Sequence, residues 1–200
     1  MSAVSPSVIA LAGPNGAGKS TAGPKLLKET LGVTEFVNAD VIAQGLSGFS
    51  PESMAFAAGR IMLGRLKQLA HHRRTFAFET TLSGRAHARW LARLLAEGYQ
   101  FHLTYLWLAS PELALARVAD RVRQGGHNVP RATVERRYHA GLRNFFHLYR
   151  TMATNWRLYD NSAGRFPRLV AIGHGSAVTE VEDASTWAGI VRSVEVVDGP

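Results

Sequence analysis

The sequence predicts an α/β domain built on a parallel sheet covered by helices on both faces. Short β-rich apolar runs alternate with longer runs of helical spacing along most of the chain. A glycine-rich stretch follows the first apolar run and opens the first helical one. Hydrophobic residues make up 46% of the 200 residues and charged residues 19%, enough to bury one core and too apolar for disorder.

Ser7–Ala12 is apolar throughout and ends at Gly13-Pro14, which predicts a buried strand. Lys19–Leu31 reads as a helix, with Gly23-Pro24 in its first turns. Phe36–Asn38 is a second short strand. Pro51–His71 carries Met54, Ala57, Ala58, Ile61, Met62, Leu66 and Leu69 at helical spacing. Thr75–Phe78 is the third strand, and Ala86–Ala96 a helix closed by Gly98. Phe101–Leu108 is the longest strand. The Ser110-Pro111 cap signal starts a helix to Val122, and Arg131–Tyr149 is another. Leu169–Ile172 is read as the last core strand, and the tail Val178–Val197 as a small strand and a terminal helix. No repeat, low-complexity tract or linker divides the chain, so residues 1–200 are expected to form one domain.

Composition excludes several functions. There is no cysteine, hence no disulfide framework, thiolate metal site or thiol nucleophile. No apolar run reaches about 18 residues, and the N-terminus lacks the basic region of a secretory signal. The expectation is a soluble cytoplasmic protein without a membrane partner. The net charge is +8, and 19 of the 23 basic residues are Arg, which suits two-pronged contact with phosphate or carboxylate. Nine Arg stand against Asp120 and Glu135 between Arg117 and Arg157. Bulk charge alone leaves a nucleic acid, an anionic surface or a phosphorylated small molecule open.

Gly13-Pro14-Asn15-Gly16-Ala17-Gly18-Lys19-Ser20 fits the pattern G-x-x-x-x-G-K-[ST] in strand–loop–helix context. Glycines let successive N–H groups turn inward at an anion, and the helix N-terminus adds partial positive charge. Lys19 would reach the outer phosphates, Ser20 would hold Mg²⁺, and Thr21 would bond the α-phosphate. The string predicts a nucleoside triphosphate with Mg²⁺, and in a kinase that nucleotide is ATP. An Asn-Lys-x-Asp guanine reader is absent, which argues against a G-protein. Leu46-Ser47-Gly48 and Leu82-Ser83-Gly84 are only fragments of a transporter-ATPase signature. A helicase or AAA machine would carry a longer apolar strand ending in acids; here the strand ends in a lone Glu79. A small kinase remains.

Three segments fit that role. Asp40 follows a core strand, where an α/β sheet binds ligands; it either takes the acceptor's proton or merely caps the next helix. Glu79 also follows a strand and either orients the Mg²⁺ shell or binds the acceptor, with Thr81 donating to or positioning that acceptor. Arg117 and Arg121 share a helix face, and Arg123 precedes Gly125-Gly126. The segment from about 121 to 137 reads as a lid carrying Arg to the phosphates, with Arg136 and Arg137 closing from the next helix. His127 is read as a polar lid residue rather than a base or metal ligand.

Gly13–Thr21, Asn38-Ala39-Asp40, Phe78–Leu82, Arg121–Pro130 and Arg136-Arg137-Tyr138 together resemble the zeta-toxin-like P-loop kinases. The likeness runs from about Val8 to Asn161 and is closest to the chromosomal branch labelled predicted ABC-type ATPases, a label the missing signature argues against. The resemblance implies a P-loop three-layer α/β sandwich of the adenylate-kinase kind, with a five-stranded parallel sheet in the order 2-3-1-4-5. It implies ATP-dependent phosphorylation of an amino-sugar nucleotide, typically UDP-N-acetylglucosamine at the sugar 3′-hydroxyl. By motif, Asp40 would be the general base, Glu79 and Thr81 would contact the acceptor, and Arg121 or Arg123 with Arg136 or Arg137 would contact the phosphates. An antitoxin protein is the macromolecular partner it leaves room for. The alternatives are a kinase of another hydroxyl (sugar, antibiotic, nucleoside) and a non-catalytic ATP- or nucleic-acid-binding protein. In the last case Tyr138, Phe145, Phe146, Tyr149 and Trp156 would stack on bases. The tail from about 174 to 200 is expected as a small appendage.

Overall fold

The structure, a computed structural model, describes residues 5–25, 33–126, 128–163 and 166–197. Strand β1 (Ser7–Ala12) is buried on both faces. It is flanked in parallel by β3 (Phe76–Thr80) and β4 (Gln100–Trp107). The two-residue β2 (Phe36–Val37) joins β3, and β5 (Asn155–Asp160) joins β4, both in parallel. Two further strands, β6 (Arg168–His174) and β7 (Ala177–Val181), continue the sheet antiparallel. The sheet therefore has seven strands in the order β2-β3-β1-β4-β5-β6-β7.

The expected five-stranded, wholly parallel sheet is corrected here. The run expected as its last parallel strand, Leu169–Ile172, belongs to antiparallel β6. The fifth parallel strand is β5, which no apolar run announced. Its sequence, Asn-Trp-Arg-Leu-Tyr-Asp, buries only Trp156 and Leu158 fully. Seven residues separate Asp160 from Arg168. A parallel return needs a crossover of a dozen or more, so β6 must run back against β5.

Helices cover both faces. The larger core joins Val8, Ala10 and Ala12 to Phe76, Phe78, Leu103 and Tyr105, under α3 (Ala55–His71), α4 (Ala86–Ala96) and α8 (Ala184–Val197). On the other face Leu11, Leu106 and Leu108 pack with Ala114 and Val118 of α5 (Pro111–Arg123) and with Val134 and Tyr138 of α6 (Arg131–Asn144). A 3₁₀ turn, Pro51–Met54, precedes α3, whose buried stripe is Ala58, Met62, Leu66, Leu69 and Ala70; Ile61, expected on that face, is exposed. The helix expected over 131–149 continues from α6 through a π turn, Phe145–Tyr149, into the three-residue α7 (Arg150–Met152). The wider turn directs Phe145, Phe146 and Tyr149 inward together.

Those rings and Tyr138 and Trp156 are all buried. This removes the reading in which they stack on nucleic-acid bases. Helix α1 is described over Lys19–Lys25, and the rest of its expected span, 26–31, lies outside the described residues. The tail folds as β7 and α8, with Ile190 and Val194 in the core and Trp187 stacked on Trp156 at 6.0 Å between ring centres. Among the described residues no helix is long and apolar enough to cross a membrane.

Candidate active site

Strand register builds the site. Leu11 lies opposite Glu79, and Val37 opposite Phe78. The chain leaving β1, the acid near the end of β3 and the residue after β2 therefore meet at one sheet edge, the carboxyl edge where ligands bind in such folds. Gly13, Gly16 and Gly18 take positive φ as the loop folds back toward α1. Gly18 shows why glycine stands there: at φ +80° an added Cβ would also come within 2.7 Å of the Asn161 amide nitrogen.

Lys19 is buried, 6% exposed, and donates from Nζ to the Pro14 carbonyl at 2.9 Å. Its second partner is Glu79, 3.7 Å away. Burial lowers its pKa; Glu79 and Asp40 oppose that shift and Arg121 adds to it, so all three charges bear on the ammonium. Glu79 Oε2 also accepts from the Ser20 hydroxyl at 2.9 Å and from the Asn38 amide at 2.6 Å. The loop serine, the loop lysine and the residue after β2 converge on one carboxylate.

Asp40 sits in the first turn of α2 (Ala39–Leu46). The cap of that helix is Asn38, whose Oδ1 accepts from the Asp40 and Val41 amides at 2.7 and 3.4 Å. The reading of Asp40 as the cap is thereby corrected. Arg137 reaches Asn15 Oδ1 from α6 at 3.5 Å. Burial and the adjacent Arg136 press its pKa below the ordinary arginine value, and Asp40 acts the other way. Arg117 lies beside Gly16 and donates to the Ser162 carbonyl at 2.9 Å. Thr81 shares a hydrogen bond with Ser83, 2.9 Å between hydroxyl oxygens, in a loop that Asn144 holds through the Leu82 carbonyl.

The structure thus gathers Asn15, Lys19, Ser20, Asp40, Glu79, Arg121 and Arg137, with Arg117 behind the loop. Arg123 is exposed and pairs with Asp120 on its own helix. Arg136 is exposed, and Thr21 is exposed at the start of α1. Within the expected lid, Val129 packs into the core with Val134 and Tyr138. His127 lies outside the described residues.

Two further residues belong to the site. Asn38 stood in the quoted motif without a role. Asn161, buried after β5, donates to the Ala17 carbonyl at 2.9 Å and so braces the phosphate loop from below. Its signal, Asp160-Asn161-Ser162 at a strand end, is hidden because β5 has no apolar run to mark it as a strand. Hard oxygens from Ser20 and Glu79 are the donor type Mg²⁺ takes. Among the described residues there is no cluster of three or more His, Cys, Asp or Glu to hold a metal independently.

A family described as AAA domain matches residues 8–141. The chain belongs to that family. Its name is shared with the ATPase machines set aside above, but this AAA domain has the α/β P-loop kinase fold. A Haemophilus influenzae protein described as uncharacterized is 29% identical over 126 residues, 63% of this chain and 88% of its own. A chain of the AvrRxo1-ORF1:AvrRxo1-ORF2 complex, solved with sulphate ions, superposes at a TM-score of 0.71 with 20% identity. The match covers 92% of this AAA-domain chain and 63% of that one, so the present chain spans under two thirds of its length. The same complex was solved with ATP and superposes at 0.66. The PezAT chromosomal toxin-antitoxin system of Streptococcus pneumoniae gives a TM-score of 0.63 with 18% identity, over 98% of this chain and 86% of the other.

Proposed function

We propose that this AAA-domain protein is an ATP-dependent phosphotransferase acting on an alcohol, with an amino-sugar nucleotide such as UDP-N-acetylglucosamine as acceptor. The observation that carries it is the convergence of Lys19, Ser20 and Asn38 on Glu79, with Asp40 on the adjoining helix turn and Arg121 and Arg137 close by. The acceptor follows from the motif likeness to zeta-toxin-like kinases.

The phosphate loop, Gly13 to Thr21, binds the triphosphate through backbone N–H groups, and Lys19 neutralises its outer oxygens. Ser20, with Glu79 beside it, would hold Mg²⁺, which would supply charge neutralisation on the phosphates. Glu79's contact with Ser20 favours a role in the Mg²⁺ shell over acceptor binding. Asp40 accepts the proton of the acceptor hydroxyl. The acceptor oxygen bonds to the γ-phosphorus as the bond to the β–γ bridging oxygen breaks, and ADP leaves with that electron pair. Arg121 and Arg137 balance charge spreading over the moving phosphoryl group. Arg123 and Arg136 would need rotation toward the phosphates to join them; Thr81 and its loop line the acceptor side.

Two neighbours by fold are described as a complex with a second open-reading-frame product and as a toxin-antitoxin system. A protein partner that restrains the enzyme belongs to the same reading. The decisive test mixes purified protein, MgATP and UDP-N-acetylglucosamine, beside a control without acceptor, and weighs the products by mass spectrometry. One added phosphoryl group on the sugar nucleotide is the expected result. Bound ATP with an unmodified sugar nucleotide would discard this acceptor and keep the phosphate loop.

A further inference from the structure

The geometry points to Asn38 as a positioning residue that ties Glu79 to the N-terminus of the helix bearing Asp40, and so sets where Asp40 stands relative to the phosphate loop. The inference rests on the phosphotransfer reading above. Asn38 is 6% exposed, and its one amide is used at both ends. Nδ2 donates to Glu79 Oε2 at 2.6 Å. Oδ1 accepts from the backbone of Asp40 at 2.7 Å and of Val41 at 3.4 Å. The orientation is not interchangeable: a flipped amide would turn its oxygen on a carboxylate and its N–H groups on two donors.

The same Glu79 oxygen accepts from Ser20, and the other faces Lys19. Glu79 is thus fastened to the loop from one side and to α2 from the other, and Asn38 is the second fastening. The covalent path from Ser20 to Asp40 runs through the nineteen residues 21–39; the path Ser20–Glu79–Asn38–Asp40 runs through two side chains. Since β2 is only two residues long, strand pairing offers little to hold this end of α2. Asn38 supplies what the short strand lacks.

The test separates capping from positioning. Asp and Ser cap helices as well as Asn. An ionised Asp has no donor for Glu79, and Ser is too short to reach it. Asn38→Asp, Asn38→Ser and Asn38→Ala are compared by thermal melting, by titration with a fluorescent ATP analogue, and by kcat and KM. The expected result is that Asn38→Asp and Asn38→Ser, which keep the cap, lose less melting temperature than Asn38→Ala and keep analogue affinity, while kcat drops about 10²-fold, the cost of a misplaced catalytic group. Wild-type kcat in both capping variants, or equal loss of melting temperature and binding in all three, overturns it. Should Asn38→Asp fail to fold against Glu79, Asn38→Ser carries the comparison.

A readout free of catalysis keeps the two readings apart. In a melting cycle of Asn38→Ser and Glu79→Ala, coupled residues give non-additive losses, and the effect of Glu79→Ala on Lys19 is common to both backgrounds and cancels. Additive losses overturn the positioning role even if the enzyme is a kinase. A coupled cycle in a protein that phosphorylates no acceptor overturns the phosphotransfer reading and keeps the link between Glu79 and α2.

Discussion

Asp40 and Lys19 differ in what their removal should do. The cap of α2 belongs to Asn38, so Asp40→Asn leaves the helix start intact. It should lower transfer about 10²–10⁴-fold, the usual worth of a placed base, with ATP-analogue affinity and melting temperature unchanged. Collapse of folding in that variant would make Asp40 structural. Lys19→Ala should abolish transfer yet melt cooperatively, because Glu79 still accepts from Ser20 and Asn38 once the ammonium is gone. Retained turnover would sink the phosphate-loop assignment. Both residues were legible from local motifs. Glu79's partners were not, because they come from positions 19, 20 and 38 and only the register of β1, β2 and β3 brings them together.

Elements behave as units, and two of them carry checkable consequences. In α4, His87 packs its ring on Phe78 at 5.3 Å between ring centres, with its Nδ1 buried and lacking a hydrogen-bond partner. Burial pushes its pKa below the ordinary 6.5. As pH falls through 6.5 the unfolded chain takes up that proton before the folded one does, so stability declines toward acid. His87→Phe should flatten that decline: its melting temperature should fall less than wild type's between neutral and mildly acidic pH. In α6, Gly141 lets the helix lie directly on the loop after β3, where an added Cβ would collide with the Thr81 carbonyl. Gly141→Ala should destabilise by about 1–3 kcal/mol in denaturant titration and lower transfer, since α6 also carries Arg137. Helix boundaries were broadly legible from apolar spacing. The π turn at Phe145–Tyr149 was not, because it answers to three aromatic rings sharing one core.

At the scale of the whole molecule, the tail is part of the core rather than an ornament. Ile190 of α8 is fully buried and Trp187 of the same helix stacks on Trp156. Ile190→Ala should cost about 2–5 kcal/mol by chemical denaturation, the range for a large-to-small change in a packed core. The opposite holds on the outer side of the α2–α3 region, where Phe49 and Phe56 are exposed. Phe49→Ser and Phe56→Ser should each change stability by less than about 0.5 kcal/mol in the same experiment. Apolar character by itself would have ranked all three residues as core.

What the sequence by itself determined is local in origin. The phosphate loop was readable because one eight-residue string holds every group its chemistry needs. The strand–helix alternation and Asp40's place after a strand were readable because side-chain periodicity repeats within a few residues. Tertiary structure alone decided the bracing of the loop by Asn161 across 144 positions and the meeting of Ser20, Asn38 and Glu79. It also paired Arg123 with Asp120 on the exposed side of its own helix. These are contacts between residues far apart in the chain, or choices among rotamers. Both depend on which surfaces the folded sheet brings together, and no window of neighbouring residues contains that information.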